Sequence, residues 1–331
     1  MSVDQRPVVH IGHSKTGTTW FQKSFYPAVT SHRFIDSKTV REALLAPNGL
    51  SFEADRARGL IAEASAGLPA LICDERLSGS NLAGGLHGMV PPELARRIKA
   101  ILPDARIVIG IRAQPSMLAA SYSQYVKGGG TFSLLRFLFP DSYFYAGSPY
   151  RTQAPRFDLA HFDYQRLIRL YCDLFGKENV HVMLFEQFRE GPLDCARRLA
   201  EKLGLAFDQT GIRQGVRNPG LNRNALRVMR FYNLFTARKT RDKWYLVHIP
   251  GLFEVRKRVH RGLNRLFRRK SSGELLLGPA LIRWIDARYA DSNRELGDML
   301  GIDLGEFGYP TATPETPPPS PLPRGRSLRA T

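Results

Sequence analysis

The chain has 331 residues, 43% of them hydrophobic, so it can bury the core of one large domain or two ordinary ones. No run approaches the roughly 18 continuous apolar residues of a transmembrane helix, and the polar start of the chain leaves no room for a signal peptide. The three cysteines lack paired or metal-ligand spacing, which is typical of a reducing compartment. These features predict a cytoplasmic protein, and its net charge of +18 predicts attraction to acidic partners.

Short apolar runs alternate with amphipathic helical patterns along the sequence. Runs that are apolar on both faces are typical of parallel strands covered by helices. The sequence therefore predicts an α/β fold, a P-loop-like parallel sheet flanked by helices on both faces. The predicted strands span residues 8–12, 70–73, 106–111 and 180–185, and the clearest helices span residues 163–175, 193–203 and 279–300.

The first predicted strand breaks at Gly12 into a short polar loop, and a helical pattern begins near Thr18. In such a strand–loop–helix unit, the loop amides and the first helical turn converge on one point, where the helix dipole favours negative charge. Lys15 would add a cation there, and the threonines at positions 16, 18 and 19 would add hydroxyl donors. The pattern predicts an anion-binding loop with phosphate as the expected anion; the plain alternative is a Gly/Thr turn.

The position of the lysine distinguishes this loop from a nucleoside-triphosphate loop. That loop reads G-x-x-x-x-G-K-[ST], and its lysine follows the second glycine to reach the β- and γ-phosphates. Here Gly12 and Gly17 keep the glycine spacing, but Thr18 occupies the lysine position and Lys15 lies inside the loop. A lysine inside the loop favours a shorter anion near the end of the strand.

The order Lys-x-Gly-Thr-Thr-Trp, from Lys15 to Trp20, resembles the 5′-phosphosulfate loop of the sulfotransferase family, which uses 3′-phosphoadenosine 5′-phosphosulfate (PAPS) as donor. The resemblance implies that PAPS is the donor substrate and that Lys15 is catalytic. It also allows Trp20 to stack on adenine, although a tryptophan at a helix start can equally pack into the core. The residues that would bind the 5′-phosphate are Lys15, Thr16, Gly17, Thr18 and Thr19.

A second element follows the third predicted strand, where Arg112 precedes Pro115 and a helix that carries Ser121. An arginine at a strand end and a nearby helical serine can share one phosphate. The pattern resembles the 3′-phosphate element of the same family, in its bacterial branch, with Ser123 as the alternative hydroxyl. Arg112 lies one residue further from the proline than is usual in the family. The family's glycine-rich basic loop is not recognisable, so Arg217 or another basic residue would have to substitute.

Sulfuryl transfer to a hydroxyl needs a general base within hydrogen-bonding reach of the acceptor. Glu75 is one candidate, because it follows the second predicted strand at the edge where α/β proteins bind ligands. His13 is the other, since it lies in the anion loop and titrates near neutral pH. Asp74 is predicted to be structural, and His10, inside the strand, to be a core residue. No constellation of metal ligands is predicted.

The resemblance extends over about residues 7–305, which predicts one sulfotransferase-like domain over 1–309 and a disordered, proline-rich tail over 310–331. Within the domain, residues 213–272 are predicted to be a basic helical segment. Its part 253–270 is predicted to form an amphipathic helix that contacts an anionic membrane or an acidic glycan. Residues 127–156 are predicted to be a long aromatic loop over the site. No nucleic-acid-binding module is recognisable, so nucleic acid is not a predicted partner.

The leading interpretation is a sulfotransferase that moves the sulfuryl group from PAPS to a hydroxyl or amine by in-line displacement. The acceptor would be a small molecule, a carbohydrate or a lipid, because aromatic side chains suit all of these. Chemistry of this kind needs no metal. Two alternatives stay open: a P-loop nucleotide kinase or NTPase, and a non-catalytic relative that binds anions or membranes.

Overall fold

The computed structural model describes residues 4–79, 90–140, 157–212, 223–236, 245–252, 255 and 276–312. The chain forms two compact units. The first comprises residues 1–80, 88–112 and 163–217, and the second comprises residues 81–87, 113–162 and 218–331. Packing units within one chain do not by themselves mark domain boundaries, so the domain over 1–309 and the tail over 310–331 stay predictions.

Five strands form a parallel sheet in the first unit, in the order β2-β3-β1-β4-β5. In the register, Val8 lies opposite Leu71 on one side and Arg106 on the other. Because all neighbouring pairs are parallel, the carboxyl ends of β3, β1 and β4 are adjacent at one edge of the sheet. The strands are β1 (Val8–His10), β2 (Arg33–Phe34), β3 (Ala70–Cys73), β4 (Arg106–Ile111) and β5 (Val180–Leu184).

Helices alternate with these strands and also form the second unit. In chain order they are α1 (Thr18–Trp20), α2 (Ser37–Val40), α3 (Ala54–Ser65), α4 (Val90–Ile101), α5 (Gln114–Lys127), α6 (Leu134–Leu138), α7 (Tyr164–Phe175), α8 (Phe185–Glu190), α9 (Pro192–Leu203), α10 (Arg223–Tyr232) and α11 (Pro279–Leu300). α1 continues without a break into a π-helical turn (Phe21–Phe25) and a 3₁₀ turn (Tyr26–Ala28). Helices α5, α6, α10 and α11 belong to the second unit.

Both faces of the sheet are covered, as strands without a polar face require. Val8, Leu71 and Val108 pack in one hydrophobic cluster with α9 and with the helix that begins at α1. Their neighbours Val9 and Ile72 are also fully buried and, by the two-residue period of a strand, point to the opposite face. Helices α3, α4 and α7 pack in series, and α3 and α7 contact the strands outside that cluster. The predicted α/β fold with a helix-flanked parallel sheet is confirmed.

The predicted bounds agree with the structure for some elements and differ by one or two residues for the others. The strands over 70–73 and 106–111 and the helix over 279–300 have the predicted bounds. Strand β2 was not predicted, because its two residues are too few to show an alternating pattern. The predicted loop over 127–156 contains α6, and its residues 141–156 lie outside the described part of the chain.

In the second unit, α5 packs against α10 and α11. Two buried amides join α5 to α11: Gln114 Nε2 donates to Asn293 Oδ1 (2.8 Å), and Asn293 Nδ2 donates back to Gln114 Oε1 (3.0 Å). Asn293 Nδ2 also donates to the carbonyl oxygen of Pro310 (2.8 Å), which ties the first residue of the predicted tail to α11. Residues 313–331 of that tail lie outside the described residues.

Aromatic side chains fill another part of the second unit. Phe132 and Phe137, from the predicted aromatic loop, are buried against the ring of Tyr125. The Tyr125 hydroxyl oxygen accepts from the backbone N of Phe132 (3.1 Å). These two rings are therefore core residues of this unit. Across the described ranges, no helix combines the length and the apolar character that crossing a bilayer requires.

A charged cluster joins the start of the chain to the amino-terminal edge of the sheet. The Asp4 carboxylate accepts hydrogen bonds from Arg6 Nη2 (2.7 Å) and from Arg106 Nη1 (3.1 Å) at the start of β4. Hydrogen bonding from the Arg6 side chain lowers the pKa of Asp4 from 3.8 to about 2. Asp4 N donates to Gly204 O (3.2 Å), just beyond α9. The ionised carboxylate is thus part of the folded arrangement.

Replacing Asp4 with Asn should remove part of the acid lability of the fold. Because the pKa of this carboxyl is lower in the folded chain than in the unfolded chain, its contribution is complete above about pH 4 and is lost as the pH falls towards 2. Because Asp4 and Arg6 are partly exposed and solvent screens their interaction, the variant should be less stable at neutral pH by about 1 kcal/mol, and its stability should change less between pH 4 and 2. Urea unfolding at a series of pH values measures both effects.

Asp55→Asn is the matched control for this change. Asp55 forms an exposed ion pair with Arg58 on α3, and exposed pairs contribute little to stability. The control should therefore follow the wild-type pH profile. If the profile of Asp4→Asn also ran parallel to wild type, the assigned role of Asp4 would be wrong.

Candidate functional site

The loop after β1 lies directly against β4. Ile11 N donates to Val108 O (2.9 Å) and His13 N donates to Gly110 O (3.1 Å), so strand-like contact continues beyond the end of β1. A Cβ atom on Gly110 would lie 2.7 Å from Thr16 Oγ1 and 3.0 Å from Thr16 Cβ. Real Cβ atoms do not approach other atoms so closely, so glycine at position 110 is what lets the loop reach the strand.

Thr16 holds the loop in shape from inside. Its Oγ1 donates to His13 O (2.6 Å), its backbone N donates to the same carbonyl (3.3 Å), and its side chain is fully buried. Thr18 is buried at the start of α1, and Thr19 beside it is half-buried. The Thr16 hydroxyl, one of the three predicted anion donors, therefore donates its hydrogen bond to the loop itself.

Gly17 turns the chain from the loop into α1. Its φ is +97°, a conformation that favours glycine, and a Cβ there would lie 2.7 Å from the ring of Phe188 on α8. Trp20, one turn later, is 9% exposed; its ring stacks on that of Phe25 at 6.2 Å and meets that of Phe188 at 5.5 Å. Of the two roles open to Trp20, core packing is the one that this position fits.

Four backbone N–H groups at this turn have no acceptor among the described residues: those of Lys15, Gly17, Thr18 and Thr19. The N-cap, Gly17, offers no side chain to cap the helix. The N–H groups of a first helical turn point out of the helix N-terminus, where the dipole is positive. Because folded proteins pair most of their amides, this group of donors is suited to an anion bound at the start of α1.

Lys15 adds a cation to the same turn. Its φ is +75°, a left-handed conformation that is uncommon for a residue with a side chain and that clusters at binding sites. The side chain is exposed, yet the protein around the ammonium desolvates it and lowers the pKa of Lys15. The negative charge of Glu75 opposes this shift, and the positive charge of Arg112 adds to it. The three side chains thus form one electrostatic cluster.

Arg112, directly after β4, also contacts the loop. Its Nη1 donates to Lys15 O (3.2 Å), and its guanidinium carbon lies 4.2 Å from the centre of the Phe185 ring. The Arg112 carbonyl oxygen accepts from the Tyr164 hydroxyl (2.7 Å). A guanidinium that stacks on an aromatic ring has a fixed orientation. The structure therefore brings a predicted phosphate ligand of β4 to the loop of β1.

The two carboxylates after β3 have different surroundings. Asp74 is buried, caps the following turn by accepting from Arg76 N (2.9 Å), and forms an ion pair with the same arginine. Glu75 is half-buried and accepts from Gln22 Nε2 (3.2 Å). Gln22 also donates to Cys73 O (3.0 Å), so the helix after the loop holds Glu75 in position. Asp74 is structural, as predicted, and Glu75 is oriented beside the loop.

Both histidines near the loop are buried. His10 Nδ1 lies 2.7 Å from the Tyr26 hydroxyl oxygen, and burial lowers the pKa of His10 to about 3, so its ring is neutral in the core. His13 is 1% exposed, with its ring 5.0 Å from that of Tyr164. His13 is therefore less accessible than Glu75. Within the described part of the chain, no three His, Cys, Asp or Glu side chains come together as a metal ion would require.

The other predicted ligands lie elsewhere in the chain. Ser121 and Ser123 are buried on α5, in the second unit, and Ser123 Oγ has no hydrogen-bond partner among the described residues. Arg217 lies outside the described residues. Their roles stay predictions. The predicted residues that the first unit brings together are Lys15, Thr16, Gly17, Thr18, Thr19, Glu75, Arg112 and His13.

Three residues of this site were missed by the sequence analysis. Gly110 lets the loop approach β4, Gln22 orients Glu75, and Tyr164 binds the carbonyl of Arg112. A glycine within the β-branched run Arg-Ile-Val-Ile-Gly-Ile was the available signal for Gly110. No local pattern marks Gln22 or Tyr164, because each acts through a contact with a distant part of the sequence.

The chain is similar to known proteins in its structure only. No protein-family model matches the chain, and no curated protein matches it. Among solved structures, the chain is similar to a sulfotransferase from Alicyclobacillus acidocaldarius, with a TM-score of 0.44 and 19% sequence identity over 64% of this chain and 87% of that one.

Replacing Gly110 with Ala should displace the loop and destabilise the fold. The new methyl group would lie 2.7 Å from Thr16 Oγ1 and 3.3 Å from Met183 Cε. Such overpacking typically costs about 1–3 kcal/mol. Urea unfolding measures the change.

Gly59→Ala is the matched control, because nothing lies within 4 Å of a Cβ at this exposed position of α3. Alanine in a helix interior should stabilise the chain by about 0.5–1 kcal/mol. The two variants should therefore shift the unfolding midpoint in opposite directions. A Gly110→Ala protein as stable as wild type would show that the loop does not press against β4.

Proposed function

We propose that this chain is a sulfotransferase that takes PAPS as donor and transfers its sulfuryl group to a hydroxyl or amine of a small-molecule, carbohydrate or lipid acceptor. The observation that carries the proposal is the arrangement at the ends of three adjacent strands. A lysine and unpaired amides follow β1, a carboxylate follows β3, and an arginine follows β4. The resemblance of the loop sequence to that of the family supports the same function.

The loop is suited to the 5′ end of such a donor. A phosphosulfate carries its negative oxygens close to the nucleoside, and the unpaired amides at the start of α1 can donate to them. Lys15, in the same turn, supplies positive charge where a leaving phosphate develops negative charge. We assign the 3′-phosphate to Arg112, with Ser121 and Arg217 as the further ligands that the sequence predicts.

When bound, the donor supplies the sulfuryl group and departs as adenosine 3′,5′-bisphosphate. The residues of the chain position the partners and stabilise charge, as in other in-line displacements. Lys15 and the loop amides stabilise the leaving phosphate. Glu75 accepts the proton of the acceptor hydroxyl as the new oxygen–sulfur bond forms, and its hydrogen bond from Gln22 holds the carboxylate in place. His13 is the alternative base.

Two other functions predict different results with the same ligands. A nucleotide kinase or NTPase would share the spacing of Gly12 and Gly17, yet its lysine would stand at position 18, where a threonine is buried. A non-catalytic relative would bind the bisphosphate and transfer nothing. Ligand preference therefore separates the kinase from the sulfotransferase, and turnover separates the non-catalytic protein from it.

Adenosine 3′,5′-bisphosphate should raise the Tm of the protein more than ATP with Mg²⁺ does. Lys15→Met should weaken bisphosphate binding about 10- to 100-fold, because a charged hydrogen bond to phosphate contributes about 1.5–3 kcal/mol. Lys23→Met is the matched control, since Lys23 is exposed on the same continuous helix and should leave the Kd unchanged. Calorimetric titration gives the Kd. A larger Tm increase with ATP and Mg²⁺ would support the kinase instead.

Glu75→Gln should lower transfer about 10²- to 10⁴-fold, because the variant lacks a general base. Bisphosphate binding should persist, since glutamine keeps the size of the side chain. Glu63→Gln, at an exposed position of α3, is the matched control and should transfer normally. The assay follows radiolabelled sulfate from PAPS into the acceptors of a cell lysate.

Full activity in Glu75→Gln would exclude Glu75 as the base. Loss of transfer in His13→Gln alone would assign that role to His13. A wild-type protein that binds the bisphosphate but labels no acceptor would support the non-catalytic alternative.

A further inference from the structure

Large apolar side chains are exposed on two neighbouring segments of the second unit. They lie on the outward side of α10 and in the segment 245–252, and each is between 44% and 74% exposed. Elsewhere in the described chain such side chains are exposed singly, as Leu50 is. Clustered apolar exposure marks interaction surfaces, whereas single exposed residues need no explanation. We call this surface the α10 patch, formed by Val228, Phe231, Tyr245, Leu246, Val247 and Ile249.

The α10 patch is held in place by hydrogen bonds of the main chain. Leu246 N donates to Leu234 O (2.7 Å), and Ile249 N donates to Phe235 O (3.1 Å), so the segment 245–252 is attached to the turn that ends α10. The rings of Phe231 and Phe235 lie 5.3 Å apart across the junction. The apolar side chains of the segment 245–252 are therefore carried by a backbone that is hydrogen-bonded to the end of α10.

Basic side chains share the outward side of α10 with this patch. Arg223 and Arg227 are exposed and stand eight and four residues before Phe231, so the three side chains follow one row along the helix. Met229 on the opposite side is fully buried. The sequence around the patch continues the charge: between positions 213 and 270, 17 Lys and Arg residues stand against Asp242 and Glu254.

We propose that the α10 patch binds the surface of an anionic phospholipid bilayer. Arginines beside exposed Phe, Tyr, Leu, Val and Ile side chains match a surface whose outer layer is negative and whose inner layer is apolar. A second copy of this chain would bring two strongly basic surfaces together, which like-charge repulsion opposes. A polyanion such as a glycan would use the arginines and leave the apolar side chains in water. The inference is independent of the proposed sulfuryl transfer.

The full-length protein is tested by co-sedimentation with vesicles of phosphatidylcholine alone or mixed with phosphatidylserine. Binding to the mixed vesicles should be at least about tenfold tighter than to the neutral ones, because each basic residue near the surface adds attraction. Raised salt should weaken this binding without abolishing it, since salt screens charge but does not oppose burial of apolar side chains.

The double variant Leu246→Gln/Ile249→Gln distinguishes insertion of apolar side chains into the bilayer from attraction between charges. It leaves the net charge and the two backbone hydrogen bonds in place, and it should lose about tenfold in affinity for the mixed vesicles and most of the salt-resistant binding. Leu50→Gln is the matched control, because Leu50 is fully exposed in the first unit, outside the patch. It should bind the vesicles as wild type does.

Three outcomes would overturn the proposal. One is equal vesicle binding by wild type and the double variant, which would leave only non-specific attraction of a basic protein. Another is wild-type binding that disappears entirely at raised salt. The third is a wild-type dimer, seen by analytical ultracentrifugation, that the double variant does not form and that does not bind vesicles; a second copy would then be the occupant.

Discussion

The candidate site depends on the contact between the loop after β1 and the backbone of β4. No side chain separates the two at Gly110, so Thr16 packs onto the strand and His13 N bonds to Gly110 O. The other features depend on this contact. The chain turns at Gly17 into α1 with its amides unpaired, and Arg112, two residues beyond Gly110, reaches the carbonyl of Lys15. The absence of one Cβ atom thereby aligns groups from two strands.

The sheet order accounts for the rest of the site. β1 lies between β3 and β4, so the segments that leave the carboxyl ends of these three strands meet at one edge. The pKa of Lys15 reflects this arrangement, because the negative charge of Glu75 after β3 raises it and the positive charge of Arg112 after β4 lowers it. Asp74 immediately precedes Glu75, yet its ion pair with Arg76 commits it to the fold. Neighbouring carboxylates can therefore have different roles, which their contacts decide.

The strands and the loop could be predicted because their signals are local: β-branched runs, two glycines and a lysine between them. Glu75 could be placed at a strand end for the same reason. The supporting contacts could not, because the approach of Gly110 to Thr16 joins distant parts of the sequence. Trp20 shows this limit most clearly. A tryptophan at a helix start suits both adenine stacking and core packing, and its contact with Phe188 from α8 is a tertiary feature.

The amide pair between Gln114 and Asn293 has a consequence for how the chain is made. The two residues are 179 positions apart, and Asn293 also binds Pro310. The residues of the first unit have all left the ribosome once residue 217 has emerged. That unit can therefore close while translation continues, whereas α5 waits for α11 with the side-chain oxygen of Gln114 unpaired and an apolar side uncovered. A nascent chain in that interval exposes apolar surface that α11 later covers, and such exposure favours aggregation.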